Sequence, residues 1–127
     1  MKRVSVLTCS STLLLFAFSF TGCGDPRGES QIQMNQLQLA LYEFAQAHEG
    51  EWPDSLDQIK ESVGGEAAFQ KLITNPVTGD NPGYEYVKPE GKPGDPNYDH
   101  HQIILYQLNK GVRDPSLKSG YSDGTFK

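Results

Sequence analysis

The chain has 127 residues, which is enough for one domain together with a leader segment. It carries 16 acidic against 11 basic residues, for a net charge of -5, and its charges are scattered. This balance argues against a nucleic-acid partner and against electrostatic adhesion to an anionic membrane, because both require clustered Lys and Arg. Any attachment to a membrane would therefore have to be covalent.

Residues 1–22 predict a secretory signal peptide. Lys2 and Arg3 form a basic start, the segment 4–20 is almost entirely apolar, and small residues follow it. A transmembrane helix is the competing interpretation, but the apolar run is shorter than the roughly 20 residues that a span needs. We therefore predict that these residues are removed and take no part in the fold.

The leader ends in Phe20-Thr21-Gly22-Cys23, which resembles the lipobox of bacterial lipoproteins. The resemblance implies cleavage before Cys23 and acylation of its thiol, so that residues 23–29 are a lipidated cysteine and a short linker. The alternative is an ordinary signal peptide followed by a chance cysteine. Since the only other cysteine, Cys9, lies in the leader, the mature chain cannot form an intrachain disulfide. The predicted location is the cell envelope, lipid-anchored to the outer membrane facing the periplasm or at the cell surface.

Residues 30–56 contain the strongest helical pattern of the chain. Ser30 followed by Gln33 predicts a capping box at the start of the helix, and Gly50 and Pro53 predict its end. Apolar side chains recur at steps of three and four, so they share one face. The residues of this face are Met34, Leu37, Leu41, Phe44 and His48, and it is widened by Leu39, Ala40, Tyr42 and Ala45.

Shorter elements and many loops are predicted for the rest of the chain. In order they are a helix at 56–63, a helix at 67–73, turns at 76–83, a strand at 84–87, a loop at 88–97, a strand at 101–108, a loop at 110–119 and a hairpin at 120–127. The predicted fold is α+β, with a long N-terminal α-helix packed on a small antiparallel β-sheet. The predicted core consists of Leu37, Leu41, Phe44, Trp52, Leu56, Ile59, Leu72, Tyr86, Ile104, Tyr106 and Phe126.

Three passages of this sequence resemble the head domain of bacterial pseudopilins, above all the major pseudopilin of type II secretion and the type IV pilin-like proteins related to it. They are Asn35-x-Leu37-x-Leu39-Ala40-Leu41-x-x-Phe44-Ala45-x-Ala47-His48-x-Gly50-x-Trp52-Pro53-x-Ser55-Leu56, then Asn75-Pro76-x-Thr78-Gly79 with Gly83-Tyr84-x-Tyr86, and finally Gly120-Tyr121-Ser122-Asp123-Gly124. The resemblance covers most of residues 34–127 and implies a pseudopilin-like globular domain at residues 30–127.

This chain departs from the family at its start. Pseudopilins carry a prepilin leader directly before a long hydrophobic helix, which they use to enter the membrane and then to build a filament core. A lipoprotein signal takes that place here. The resemblance therefore implies the fold of the head domain, and it does not imply the family's route into a filament.

The last loop is rich in oxygen ligands, which come from Asp114, Ser116, Ser119 and Asp123. Hard oxygen ligands in a flexible loop suit Ca²⁺, and the resemblance to major pseudopilins implies a calcium site in the C-terminal loop. Asp114 and Asp123 are therefore candidate metal ligands. The alternative of ordinary turn-forming residues stays open, because the spacing matches no established ligand pattern. We predict no other cofactor.

Aromatic residues supply the other candidate binding site. Trp52, Tyr84 and Tyr86 would form an exposed patch for a partner or a glycan, unless they belong to the core. Zinc is not expected at His100 and His101, since neighbouring strand residues point to opposite faces. The chain has no Gly-x-Ser-x-Gly elbow and, once Cys23 is acylated, no cysteine nucleophile, so we predict that it is not an enzyme.

These features together predict a membrane-anchored exported lipoprotein with a pseudopilin-like domain. Its role would be structural or binding and non-enzymatic, with a link to type II secretion or to a pilus-like assembly. Its partners would be the membrane, through the lipid on Cys23, and protein components of such an assembly, with no nucleic acid. The alternative is an exported calcium- or ligand-binding protein that uses its C-terminal loop.

Overall fold

A computed structural model describes residues 25–127. Its elements are α1 (Pro26–Ala47), a 3-10 helix (Leu56–Ile59), α2 (Glu66–Ile73), β1 (Tyr84–Tyr86), β2 (Ile103–Asn109), β3 (Val112–Arg113) and β4 (Gly120–Tyr121). One long helix thus precedes a small antiparallel sheet of four strands, which confirms the predicted α+β class. The predicted signal peptide and the lipidation site at Cys23 lie outside the described residues.

Helix α1 begins at Pro26, so the prediction of a start at Ser30 after a linker is wrong. The Asp25 carboxylate caps the helix by accepting a hydrogen bond of 3.2 Å from the Arg27 amide. Pro26 suits the first turn, because the amide hydrogen that it lacks would have had no partner there. Ser30 lies one turn inside the helix, where its hydroxyl donates to the Arg27 carbonyl at 2.9 Å.

The end of α1 lies close to the predicted stop. Gly50 adopts a φ of +88° and donates its amide to the Ala45 carbonyl at 2.7 Å, which closes the helix. The helix stops at Ala47, so His48 is not on its apolar face as predicted. The His48 side chain is exposed, and its ring stacks on Phe44 at a centroid distance of 3.9 Å.

Strand β2 is the centre of the sheet. It pairs antiparallel with β1, where Tyr84 lies opposite Gln107 and Tyr86 opposite Leu105. It also pairs antiparallel with β3 through its last residues and with β4 through its first residues. The register shifts between Ile103 and Leu105, and this irregularity interrupts the simple alternation of buried and exposed side chains along β2.

The loop predicted at residues 110–119 begins with a hairpin that sequence analysis missed. Lys110 and Gly111 adopt φ values of +55° and +80°, as a tight two-residue hairpin turn requires. The Gly111 amide also donates to an Asp80 carboxylate oxygen at 2.9 Å. This turn returns the chain to β2 and creates β3, whose Arg113 binds both carboxylate oxygens of Glu85 at 2.8 and 3.0 Å.

The hydrophobic core lies between one face of α1 and the sheet, with α2 and the 3-10 helix closing its side. The buried residues of the predicted core are Leu37, Leu41, Trp52, Ile59, Leu72 and Ile104, and Phe44, Leu56, Tyr86 and Phe126 are partly buried against them. Tyr106 is the exception. It lies on the other face of β2 with the Arg113 guanidinium 3.9 Å from its ring centroid, so its assignment to the core is wrong.

Two apolar residues of α1 face outward instead of widening the buried face. Leu39 is 59% exposed and Tyr42 is 41% exposed, whereas Ala40 and Ala45 are buried as predicted. Ile32 is exposed as well, at 60%. We call Ile32 and Leu39 the outer stripe, because the step of seven residues from one to the other is about two helical turns and places both on one side of α1.

A buried polar residue, Asn75, ties the connection between α2 and β1 to the sheet. Its side-chain amide donates to Gln107 Oε1 at 3.0 Å and to the Gly83 carbonyl at 3.4 Å. Its Oδ1 accepts from the Val77 amide at 2.8 Å, and its backbone amide donates to the Asp80 carbonyl at 2.9 Å. We call this set of contacts the Asn75 clamp.

Candidate functional site

The three aromatic residues proposed as an exposed patch do not form one. Trp52 and Tyr84 are core residues, with exposed fractions of 3% and 2%. The Tyr84 hydroxyl donates to Gln33 Oε1 at 2.6 Å, and the partly buried Tyr86 donates its hydroxyl to the Pro53 carbonyl at 2.7 Å. Burial raises the pKa of both tyrosine hydroxyls. Tyr84 and Tyr86 line one open cavity, beside the 3-10 helix and α2, and Trp52 lines a different one together with Ser122 of the C-terminal hairpin.

The two candidate calcium ligands are each used within a local turn. Asp114 accepts hydrogen bonds from the amide and hydroxyl of Ser116 at 2.9 and 2.6 Å. Asp123 accepts from the amide and hydroxyl of Thr125 at 3.0 and 2.6 Å, and it pairs with His101 Nδ1 at 2.9 Å. Within residues 25–127, no group of three or more His, Cys, Asp or Glu side chains could hold a metal ion. A calcium site at these residues stays a prediction of the sequence.

A groove lies between α1, the loop at 88–100 and the C-terminal hairpin. It consists of two adjoining cavities of about 380 and 280 Å³ that share Tyr42, His100 and Ser122 as lining residues. Cavities of such size are within the range that holds small ligands. We call it the aromatic groove and define it by Tyr42, Trp52, Tyr98, His100 and Ser122.

The helical wall of the aromatic groove is built by the end of α1 and the stop that follows it. Tyr42 projects from the edge of the buried face of α1, one turn after the buried Gln38, and its ring centroid lies 6.2 Å from that of Trp52 at an angle of 59°. Trp52 follows the left-handed Gly50, which turns the chain back so that the indole packs beside the helix. The exposed ring of Tyr42 therefore continues an aromatic surface that begins in the core.

The loop wall is fastened to the segment after α1, although it has no helix or strand, as predicted. Lys92 pairs with Glu51 at 2.8 Å and Lys88 pairs with Asp54 at 2.7 Å. Each pair is solvent-exposed and contributes little by itself. The side chain of Gln102 adds three hydrogen bonds to the backbone of this loop. These contacts position the far end of the loop, where Tyr98 and His100 pack edge to face at a centroid distance of 4.7 Å.

The third wall is the C-terminal hairpin, which is held to α1 by a buried amide. Gln38 Nε2 donates to the carbonyls of Tyr121 and Thr125 at 2.8 and 3.2 Å. The Ser122 hydroxyl donates to the His100 carbonyl at 2.8 Å and so joins the hairpin to the loop wall. The groove is thus assembled from side chains that are far apart in sequence but rigidly connected in the fold.

Three residues of this groove carry buried polar atoms that lack a well-formed hydrogen bond. Within residues 25–127 these atoms are Gln38 Oε1, Trp52 Nε1 and the Tyr98 hydroxyl, and each is shielded from solvent. Gln38 lines the larger cavity, and the other two residues line the smaller one. Burial raises the pKa of Tyr98, and hydrogen bonding with the Ser122 and Trp52 side chains partly opposes that rise, so Trp52 and Tyr98 lie close enough to satisfy each other. A molecule in the groove would therefore contact the exposed groups of the lining and not these three atoms.

The lining of the groove is nearly free of charge. Asp123 is the charged residue of the larger cavity, and it is already paired with His101. The smaller cavity is lined by aromatic, amide, hydroxyl, proline and glycine groups, together with His100. The groove therefore offers hydrogen bonds and aromatic faces, and it offers no cationic side chain for an anionic ligand.

Acid should weaken the junction between the hairpin and the loop through Asp123. Hydrogen bonds from Thr125 and then from His101 lower the pKa of the Asp123 carboxyl to about 2. A carboxyl whose pKa is lowered by folding contributes stability above its unfolded pKa of about 3.9, and that contribution disappears as the pH falls toward the folded value. We expect wild-type protein to be more stable than Asp123→Asn at pH 5, with the difference shrinking as the pH falls through about 2. Thermal melting across this range measures the difference, and a difference that does not change with pH would contradict the prediction.

Comparison of the chain with family models, with curated proteins and with solved structures finds no match. Among the helices at residues 25–127, none has the length and apolar character needed to cross a membrane.

Among the residues of the aromatic groove, only Trp52 is proposed as a binding residue by the sequence analysis, and there it belongs to a different patch. Tyr42 was assigned to the buried face of α1, and Tyr98, His100 and Ser122 were not singled out as binding residues. A weak signal was present, since an aromatic residue and a histidine follow the proline- and glycine-rich stretch 88–97. Such a stretch commonly forms a loop, and loops often carry binding residues.

Proposed function

We propose that this protein is a non-enzymatic, lipid-anchored lipoprotein of the cell envelope whose pseudopilin-like domain binds a protein of a type II secretion or pilus-like assembly. The lipid would be attached to Cys23, which precedes the capping residue Asp25 by two positions. The order of a long helix followed by a small antiparallel sheet supports the pseudopilin-like assignment. The fold by itself does not define a function, so the binding role depends on the surface of α1.

The main support for this proposal is the exposure of the outer stripe. Ile32 and Leu39 are about 60% exposed and lie on the side of α1 opposite its buried core residues. Leu39 forms a ridge between two hollows of about 440 and 380 Å³, and it lines both. A ridge flanked by grooves is the surface against which another helix packs. Exposed aliphatic residues that are grouped in this way commonly mark a protein contact.

The first test concerns the anchor. In cells fed an alkyne analogue of palmitate, we expect the full-length protein to be labelled and to be recovered with membranes, because acyl chains on Cys23 would hold it there. Cys23→Ser should abolish the label and release the exported protein, whereas Cys9→Ser should change neither. An unlabelled wild-type protein in the soluble fraction would refute the anchor.

The second test concerns the partner. With a photo-crosslinking amino acid at position 36, beside the ridge, we expect an adduct with a component of a secretion or pilus-like assembly, identified by mass spectrometry. Ile32→Ser with Leu39→Ser should abolish this adduct, because the double change makes the ridge polar. Val112→Ser is the matched control, since Val112 is an exposed aliphatic residue on β3. Adducts restricted to unrelated proteins, or equal adducts from the double variant, would contradict the proposed partner.

A further inference from the structure

We propose that the aromatic groove is a binding site for an uncharged saccharide. This site borders the outer stripe, because Leu39 also lines its larger cavity, but it does not depend on the protein contact proposed above. The inference is based on three properties of the groove, namely its exposed amide and hydroxyl groups, its neutral lining and its aromatic faces. Each of them restricts the chemistry of the ligand.

The accessible polar groups of the lining favour a ligand that both donates and accepts hydrogen bonds at short intervals. The exposed Asn35 and Gln46 each offer an amide that donates and accepts, and the Ser122 hydroxyl can do either. They belong to two adjoining cavities, so one extended ligand could approach all three. The neighbouring hydroxyls of a saccharide have this dual capacity, whereas an aliphatic ligand would displace water from these groups without replacing its hydrogen bonds.

The charge of the lining excludes an anionic ligand. No Lys or Arg side chain lines either cavity, and the whole chain is acidic, with 16 acidic against 11 basic residues. A phosphate or carboxylate entering the groove would lose its water of hydration without gaining a cationic partner, which is costly. A cation is not favoured either, because the carboxylate of Asp123 is already occupied by Thr125 and His101.

The aromatic faces favour a ring-shaped ligand with apolar C–H surfaces. Tyr42 offers an exposed ring next to the buried indole of Trp52, and the ring of Tyr98 meets His100 at the loop wall. A sugar ring has one surface of axial C–H groups and a rim of hydroxyls. It can therefore pack on Tyr42 while its rim reaches the amides of Asn35 and Gln46 and the hydroxyl of Ser122.

Trp52 makes the inference directly testable, because it is the sole tryptophan of the chain. We would titrate the full-length protein in detergent with chitotriose and with cellotriose, which are neutral, and with trigalacturonate, which is anionic. We expect a saturable change in tryptophan fluorescence with at least one neutral trisaccharide and none with trigalacturonate. Amide chemical shifts of His100 and Ser122 provide a second measurement at the same groove.

The variants separate a binding site from a general effect on folding. Tyr42→Ala should weaken binding at least tenfold, and Gln46→Ala, also at an exposed lining position, should weaken it less. Tyr42→Phe should bind nearly as wild type, since it keeps the ring. Ile32→Ala, an exposed residue of the same helix outside the lining, should not change binding. Absence of a saturable response to both neutral sugars, equal binding of trigalacturonate, or unchanged affinity in a folded Tyr42→Ala would each overturn the proposal.

Discussion

Gly83→Ala is expected to destabilise the domain by roughly 3 kcal/mol or more, the upper range for overpacking a close contact. A Cβ atom at Gly83 would lie 2.3 Å from Asn75 Cβ, 2.6 Å from the Asn75 nitrogen and 2.8 Å from the Asp80 carbonyl oxygen. All three distances are far inside van der Waals contact, and two of the three atoms belong to the backbone. The added methyl group can therefore be accommodated only if the chain itself moves.

That movement is resisted by hydrogen bonds on both sides of Gly83. Its amide donates to the Ile73 carbonyl at 2.7 Å, and its carbonyl accepts from the Leu108 amide at 2.8 Å. A shift at Gly83 would thus disturb the end of α2 and the pairing next to β1 together. A loss of roughly 3 kcal/mol is a large part of the about 5–15 kcal/mol by which small domains are stable. It corresponds to a fall in the melting temperature of roughly 15 °C or more.

Gly79→Ala is the matched control for this substitution. Gly79 has a φ of +80°, but a Cβ atom there would meet nothing within 4 Å. Its cost should be limited to backbone strain, roughly 1 kcal/mol. The comparison separates a steric cost at Gly83 from a conformational cost at Gly79. Urea unfolding gives both values, and a smaller loss for Gly83→Ala than for Gly79→Ala would contradict the steric explanation.

Asn75→Ala is expected to cost roughly 3 kcal/mol, because it removes the centre of the Asn75 clamp. The substitution leaves the Val77 amide without the acceptor that it has at 2.8 Å and leaves Gln107 Oε1 without the donor at 3.0 Å. Each buried group without a partner costs roughly 1–3 kcal/mol. Asn75 is fully buried and Gln107 is 3% exposed, so water cannot easily replace the lost amide.

The control for Asn75→Ala is Asn97→Ala, at an exposed loop position. Surface changes of this kind usually alter stability by no more than about 0.5 kcal/mol. Hydrogen exchange of the Val77 and Leu108 amides would show where the loss occurs, and we expect both to exchange faster in Asn75→Ala. Equal stabilities of the two variants would show that the Asn75 clamp does not hold the connection to β2.

The long helix illustrates how much periodicity predicts. Steps of three and four residues correctly placed Met34, Leu37 and Leu41 in the core, since only one face of a helix carries this spacing. The same spacing does not show how far the buried face extends around the helix. Leu39 lies opposite the buried face and Tyr42 lies at its edge, where the sheet does not cover them, so both stay exposed.

The ends of elements were predicted less well, because several residues competed for the same role. Asp25 and Ser30 are both good capping residues, and Asp25 is favoured because Pro26 can begin a helix directly after it. The hairpin at Lys110-Gly111 was missed since lysine rarely adopts a positive φ. This turn is stabilised by the hydrogen bond from the Gly111 amide to the Asp80 carboxylate, and these two residues lie far apart in the sequence.

The α+β class, the long helix, its stop at Gly50, the central strand and most of the core can be predicted from the sequence, because each follows from local spacing or local backbone preference. Which apolar residues of α1 face solvent depends instead on how the elements pack in the folded domain. The position of the aromatic groove depends on that packing as well. Tyr42, Trp52, Tyr98, His100 and Ser122 meet because a loop held by ion pairs and a hairpin held by Gln38 close on the same side of α1. Contacts between residues so far apart in sequence depend on packing, and no local pattern encodes them.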